Sequence, residues 1–195
     1  QTSSIEPAKL KSYTKRKKNL YTDKIIDQIH LLKTKLIASK KPLILAGHGI
    51  RLSKSSNKLL NFIEKHNIPI LTTWNASDII ESNHKLFVGR PGAFAERGAN
   101  FAIQNSDLII TLGTRLPFMV TSYNSSDFAR NAFKIMVDID CNELKKSNFQ
   151  FDLLINTDVS IILDHLLNEN INFKSSEDWI NACQNLRKKY PIVDK

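Results

Sequence analysis

Apolar positions recur along this chain in two alternating patterns, helical stripes and short unbroken runs. Ile25, Ile29, Leu32 and Leu36 follow four-three-four spacing, which places them on one face of a helix. Thr22 stands where an N-cap belongs, and Asp23 falls in the first turn beside the positive helix end. This helix should stop near Lys40, because Pro42 disfavours helical geometry in the residue before it. Leu43 to Ala46 then reads as a short, wholly apolar strand, and Leu59, Leu60 and Ile63 mark a helix from about Ser55 to His66. Pro69 to Thr73 is a second strand, followed by a loop-rich section holding Trp74, Asp78 and the Gly89-Arg90-Pro91-Gly92 turn. Glu96 to Asn105 reads as a helix, and Leu108 to Leu112, Ile135 to Ile139 and Leu153 to Ile155 as strands. A helix from about Val159 to Leu167 follows, and a last one from Glu177 to about Lys189 carries Trp179, Ile180, Cys183 and Leu186 on one side.

Apolar strands that lack alternation, separated by amphipathic helices, predict an α/β fold with a parallel sheet covered on both faces. Right-handed crossovers then bring every strand's C-terminal end to one edge. Ligands of such sheets bind along that edge, near the point where strand order reverses. The loops after the strands are therefore where chemistry is expected.

Composition changes this picture little. A formal charge of +9 invites a nucleic-acid reading, but the basic residues are spread along the chain. The one dense run, Lys15-Arg16-Lys17-Lys18, lies in residues 1–21, which lack apolar periodicity and read as a linker without interleaved aromatics. No nucleic-acid partner is expected. Apolar runs of a few residues, such as Leu43-Ile44-Leu45-Ala46, are too short for a membrane span. Cys141 and Cys183 lie far apart with no C-x-x-C or paired His, so no metal site is expected and a reducing, cytoplasmic setting fits. The start, Gln1-Thr2-Ser3-Ser4, has neither an initiator Met nor a signal pattern, and it reads as a cut inside a longer polypeptide.

Gly47-His48-Gly49 follows a strand and precedes a helix, the position of a dinucleotide-binding turn. Leu52 stands where a third glycine is needed, and Leu71-Thr72-Thr73 offers no acid for a ribose, so an NAD fingerprint is disfavoured. The glycines either permit a tight turn or contact a nucleotide, and His48 reads as solvated or locally bonded rather than catalytic. Backbone N–H groups around Gly89 to Ala93 could hold a phosphate, unless the turn simply needs Gly and Pro. Gly113-Thr114-Arg115 places Arg115 on the ligand edge, suited to a diphosphate or to a structural ion pair. In Asp138-Ile139-Asp140, strand alternation should point both carboxylates one way and Ile139 the other. These acids, and Asp158 after the next strand, suit ribose hydroxyls or helix capping better than acid–base work. No nucleophile–base pair, metal cluster or G-x-S-x-G elbow is present, so no catalytic residue is assigned.

Taken in order, these segments resemble the central domain of thiamine-diphosphate-dependent enzymes of the acetolactate synthase type. The likeness rests on Pro42 to Gly49, Asn67 to Thr73, Gly89-Arg90-Pro91-Gly92, Ala99 to Ile103, Ser106 to Arg115 and Val137 to Leu144. It implies a Rossmann-like three-layer sandwich with a six-stranded parallel sheet, of the DHS-like NAD/FAD-binding type. It also implies a domain plan of linker over 1–21, central domain over 22–170, and a C-terminal helix and linker to a further domain over 171–195. The full enzyme would act on a 2-oxo acid, making or breaking a carbon–carbon bond. Its thiamine diphosphate and Mg2+ would be held by other domains of the same polypeptide, in a homodimer or homotetramer, and this segment alone would be inactive. No Gly-Asp-Gly occurs here to begin a diphosphate–magnesium motif. Members of the family bind FAD, ADP or nothing in this domain. Carried over residue by residue, Gly47, Gly49, Gly92, Gly113, Arg115, Asp140 and Asp158 would line that pocket. Where acetolactate synthases continue with Phe-Asp-Asp-Arg, this chain has Leu116-Pro117-Phe118-Met119, losing two acids and a base, which tells against FAD. The alternative is a stand-alone NAD-binding module of related fold.

Overall fold

A computed structural model of the chain describes residues 23–146 and 150–192. The linker over 1–21, the Thr22 cap and the Lys15–Lys18 run lie outside the described residues. Six parallel strands form one sheet in the order β3-β2-β1-β4-β5-β6, with β1 Pro42–Ala46, β2 Ile70–Thr72, β3 Phe87–Gly89, β4 Leu108–Leu112, β5 Phe133–Asp138 and β6 Leu153–Asn156. This is a Rossmann-like doubly wound α/β sheet, and its strand order reverses between β1 and β4.

The unbroken apolar strands are explained by two cores. Ile44, Ile110, Ile135 and Val137 enter one, under helices α1 Asp23–Ala38, α3 Ser56–His66 and α7 Val159–Asn168. Leu43, Leu45, Ile109 and Met136 enter the other, under α4 Arg97–Asn105 and α8 Glu177–Lys189. Successive side chains of a strand point to opposite faces, so each position of β1 needs an apolar residue. The stripe of α1 behaves as its spacing predicts, with Ile25, Ile29, Leu32 and Leu36 all buried. At the sheet's other edge Asp107 gathers the turn before β1, accepting from the Ser39 hydroxyl and from the N–H groups of Lys40 and Lys41 at 2.8 and 2.9 Å.

The helix expected from about Ser55 to His66 is present as α3, preceded by a separate turn, α2 Gly49–Leu52, after which Lys54 takes a left-handed conformation (φ 55°). Three local expectations are corrected. The section read as loop contains β3, a three-residue edge strand paired to β2 on one side only. Its apolar run is too short to stand out beside the flanking Gly and Pro. Glu96 does not open α4 but caps it in extended geometry. The strand expected to reach Ile139 ends at Asp138, where the Asp138 carboxylate turns back onto the Asp140 N–H at 2.9 Å. Alternation therefore fails there, and Ile139 faces the same cleft as the two acids, half exposed.

α8 completes the second layer. Its Trp179 indole N–H donates to the Pro42 carbonyl at 2.9 Å, and the Gln184 amide donates to the Lys85 and Phe87 carbonyls at 2.8 and 3.0 Å. Gly98 on α4 lets the two helices touch, since a Cβ there would lie 2.7 Å from the Leu186 carbonyl oxygen. Burial pushes the Cys183 thiol at this interface up to about 12, so it is an inert packing group.

Candidate functional site

The turns after β1 and β4 interlock at the point of strand-order reversal. Gly47 N–H donates to the Leu112 carbonyl and Gly49 N–H to the Gly113 carbonyl, each at 2.9 Å, extending the sheet beyond both strands. A Cβ on Gly49 would sit 2.6 Å from the Gly113 Cα, and one on Gly113 would sit 2.7 Å from the Gly49 Cα. Gly113 also has φ +58°, which an L side chain adopts reluctantly. Gly47 lies beneath, where a Cβ would meet the Gly113 carbonyl oxygen at 2.3 Å. These glycines are fixed by one backbone touching another.

Above this crossing opens a cavity of 790 Å³. Of the residues expected at a ligand site, Gly49, Gly113, Arg115, Asp140 and Asp158 line it, and Gly47 supports it from below. Gly92 does not line it. It packs on the backbone of Met119, whose carbonyl oxygen would be 2.1 Å from an added Cβ, and borders a separate cavity of 340 Å³. The Gly89 to Ala93 turn also has few N–H groups to spare. Arg90 N–H goes to the Glu96 carboxylate at 3.1 Å, Gly92 N–H to the Asn100 side chain at 2.9 Å, and Ala93 N–H to the Met119 carbonyl at 2.9 Å. The reading of that turn as required by Gly and Pro is the one its geometry supports.

The acids serve two roles each. Asp140 and Asp158 cap α6 Cys141–Leu144 and α7, accepting from Asn142 N–H at 2.9 Å and Ser160 N–H at 2.8 Å while bordering the cavity. Asp138 is 8% exposed at the end of β5. Burial pushes its carboxyl above the ordinary aspartate range; the bond from Asp140 N–H opposes this, and neighbouring Glu143 and Asp140 add to it. Arg115 points outward, with a side chain 76% exposed and its Nε 3.6 Å from the Glu143 carboxylate, which also pairs with Lys146.

Sequence reasoning passed over the opposite wall. Trp74 and Asn75, directly after β2, and Leu52, at the missing third glycine, border the cavity. Trp74 and Asn75 stand two and three residues beyond the end of β2, a place on the ligand edge that points to them, whereas Leu52 closes α2 and carries no such signal. Met119 lines the cavity too, from the stretch that departs from Phe-Asp-Asp-Arg. His48 Nδ1–H donates to the Asn75 carbonyl at 2.9 Å, and the Ser53 hydroxyl is engaged by the Ile50 carbonyl and Ser55 Oγ, each at 3.0 Å. Neither forms a nucleophile–base pair. Among the described residues no set of three or more His, Cys, Asp and Glu side chains is placed to hold a metal ion, and no helix is long and apolar enough to cross a membrane.

The family model for the thiamine pyrophosphate enzyme central domain matches residues 29–166. The chain is 36% identical over 173 residues to a probable acetolactate synthase large subunit of Methanococcus aeolicus, covering 82% of this chain and 28% of that protein. It is 35% identical over 167 residues to the acetolactate synthase large subunit of Lactococcus lactis subsp. lactis, covering 86% and 29%. With the corresponding protein of Cyanidium caldarium it shares 31% over 173 residues, again 86% and 29%. The chain thus spans 28–29% of the length of these curated relatives. With this match laid over a sheet of this order, the chain belongs to the thiamine pyrophosphate enzyme central-domain family.

Proposed function

We propose that this chain is the non-catalytic central domain of a cytoplasmic thiamine-diphosphate-dependent enzyme resembling acetolactate synthase, which acts on a 2-oxo acid. The observation that carries the reading is a ligand-sized cavity at the strand-order reversal whose described walls hold carboxylates, a guanidinium and apolar side chains but no nucleophile–base pair. The thiamine ring would supply the carbanion chemistry next to the carbonyl, and it and Mg2+ would be held by other domains of a polypeptide roughly three times this length. Among the described residues no group of three or more His, Cys, Asp and Glu side chains is placed to hold a metal ion, and no step is assigned to this domain. Its own part is scaffolding for a homodimer or homotetramer and, at Gly49, Gly113, Arg115, Asp140 and Asp158, a ligand role toward the nucleotide class that includes FAD and ADP. A stand-alone NAD module is disfavoured, because β2 runs into Thr73 and Trp74 rather than an acid.

Supplied with thiamine diphosphate, Mg2+ and pyruvate, the isolated chain should release no carbon dioxide. Turnover by the isolated chain would overturn the non-catalytic assignment. Calorimetry with FAD, ADP and coenzyme A tests the ligand role separately, and the absence of both heat and thermal shift would reduce the cavity to scaffold.

A further inference from the structure

We propose that a groove along α8, at the edge where the strands begin, binds a small amphipathic carboxylate, one anionic head on an extended hydrocarbon body. This edge is opposite the cavity at the strand-order reversal, and the groove does not depend on the ligand role assigned there. A cavity of 460 Å³ opens here between α8, the end of α4 and the turn that leads into β1. Asp178, Ala182, Asn185 and Lys189 recur at four-three-four spacing, so the groove follows one face of α8. From the Ser176 cap to the last turn that face runs about 20 Å.

The first ground is shape. Trp179, Ala182 and Leu186 give the groove an apolar floor, and the bond from the Trp179 indole N–H to the Pro42 carbonyl at 2.9 Å fixes the ring there. Spread along α8, the volume leaves a channel about 5 Å across, half the diameter of a helix with its side chains. An extended hydrocarbon chain fits such a channel and a helix does not. Each methylene laid on the floor strengthens binding by up to about fourfold.

The second ground is charge. Lys40, Lys41 and Lys189 border the groove, against Asp178 alone among the described residues. The turn that carries Lys40 and Lys41 is held through its backbone, because Asp107 accepts from their N–H groups at 2.8 and 2.9 Å, and both ammonium groups are left for a ligand. Among the described residues none of the three ammonium groups pairs with a carboxylate, whereas Lys33, Lys58 and Lys146 hold Glu169, Asp164 and Glu143. Asn185 adds an amide donor for a carboxylate oxygen. Residues 1–21 have the wrong charge to fill the groove, with Lys9, Lys11, Lys15, Arg16, Lys17 and Lys18 set against Glu6.

The test is titration of the 195-residue chain with octanoate, octanamide and acetate at neutral pH and low salt, followed in proton–nitrogen correlation spectra. Octanoate should give saturable shifts at Lys40, Lys41, Ala182, Asn185 and the Trp179 indole N–H. It should bind about three- to tenfold more tightly than octanamide, which lacks the charge. Acetate, which lacks the body, should bind at least about tenfold more weakly than octanoate. In the triple variant Lys40→Gln, Lys41→Gln, Lys189→Gln, octanoate should fall to the affinity of octanamide, whose own binding should not change. Octanoate binding no better than octanamide to the unmodified chain, an advantage retained by the folded triple variant, or no saturable shift along α8 would each overturn the proposal. Shifts confined to Gly49 and Gly113 would do so as well, while leaving the ligand role at the other edge standing. If the triple variant does not fold, the comparison on the unmodified chain decides alone.

Discussion

Ser122 closes the short helix α5 Phe118–Thr121 with φ 68° and ψ 179°, a backbone region occupied almost only by glycine. Replacing it by glycine should stabilise the protein. A residue held there costs about 1–3 kcal/mol, while glycine's greater freedom in the unfolded chain returns about 0.4–1 kcal/mol of that. The expected net gain for Ser122→Gly is about 0.5–2 kcal/mol. No compensating bond is lost: the N–H donation to the Phe118 carbonyl at 2.7 Å and the Thr121 hydroxyl contact to the Ser122 carbonyl at 3.4 Å both use backbone atoms of this residue. The Ser122 side chain is exposed, so packing changes little. Urea unfolding followed by circular dichroism should show a higher midpoint with an unchanged slope, and Tm should rise by about 2–4 °C per kcal/mol in a chain of this size. Ser122→Ala is the control, since it removes the hydroxyl and keeps the Cβ. A glycine variant no more stable than the alanine variant would refute the strain argument.

Gly113→Ala should destabilise by about 2–5 kcal/mol, combining a left-handed alanine with overpacking against the Gly49 backbone. Gly49→Ala should cost about 1–3 kcal/mol from overpacking alone, and the double variant should fall short of the sum because both methyls open the same contact. Chemical denaturation of all three variants checks the pattern, and near-additive losses would contradict the interlock. His66 is 1% exposed and donates through Nδ1 to the Phe173 carbonyl at 2.8 Å. Burial pushes its imidazole below the ordinary value of 6.5, with Lys65 and Lys174 acting in the same sense and the Phe173 bond opposing. The unfolded chain therefore takes up this proton first as pH falls, so stability present above pH 6.5 is lost from there down through the lowered folded value. His66→Asn, which can keep the donor, should flatten that part of the pH profile, and an unchanged acid slope would show that other groups govern it.

Much of this architecture was legible because burial acts on residue type directly. A strand buried on both faces must be apolar throughout, as Leu43 to Ala46 and Leu108 to Leu112 are, and a helix on a sheet must show a stripe, as α1 does. The glycine turns and Arg115 could be placed on one rim by chain handedness alone. β3 was not legible, since three edge residues have no periodicity to display. Gly92 was misplaced for a different reason: its partner is the Met119 carbonyl, a backbone atom that no side-chain pattern encodes. Trp74 and Leu52 belong to the cavity through the crossing of loops distant along the chain, and only the register of β1 with β2 and β4 brings them together.

The docking of α8 has a consequence for the order of events during synthesis. Trp179 reaches back to Pro42, 137 positions earlier, and Gln184 to Phe87, 97 positions earlier. While the ribosome still shelters these last turns, one side of the sheet is bare of its final cover and shows Leu43, Leu45 and Val88 to whatever is nearby. Nascent chains in that interval are the ones a chaperone would meet, and a stall downstream of the β6 codons would leave them exposed for longest.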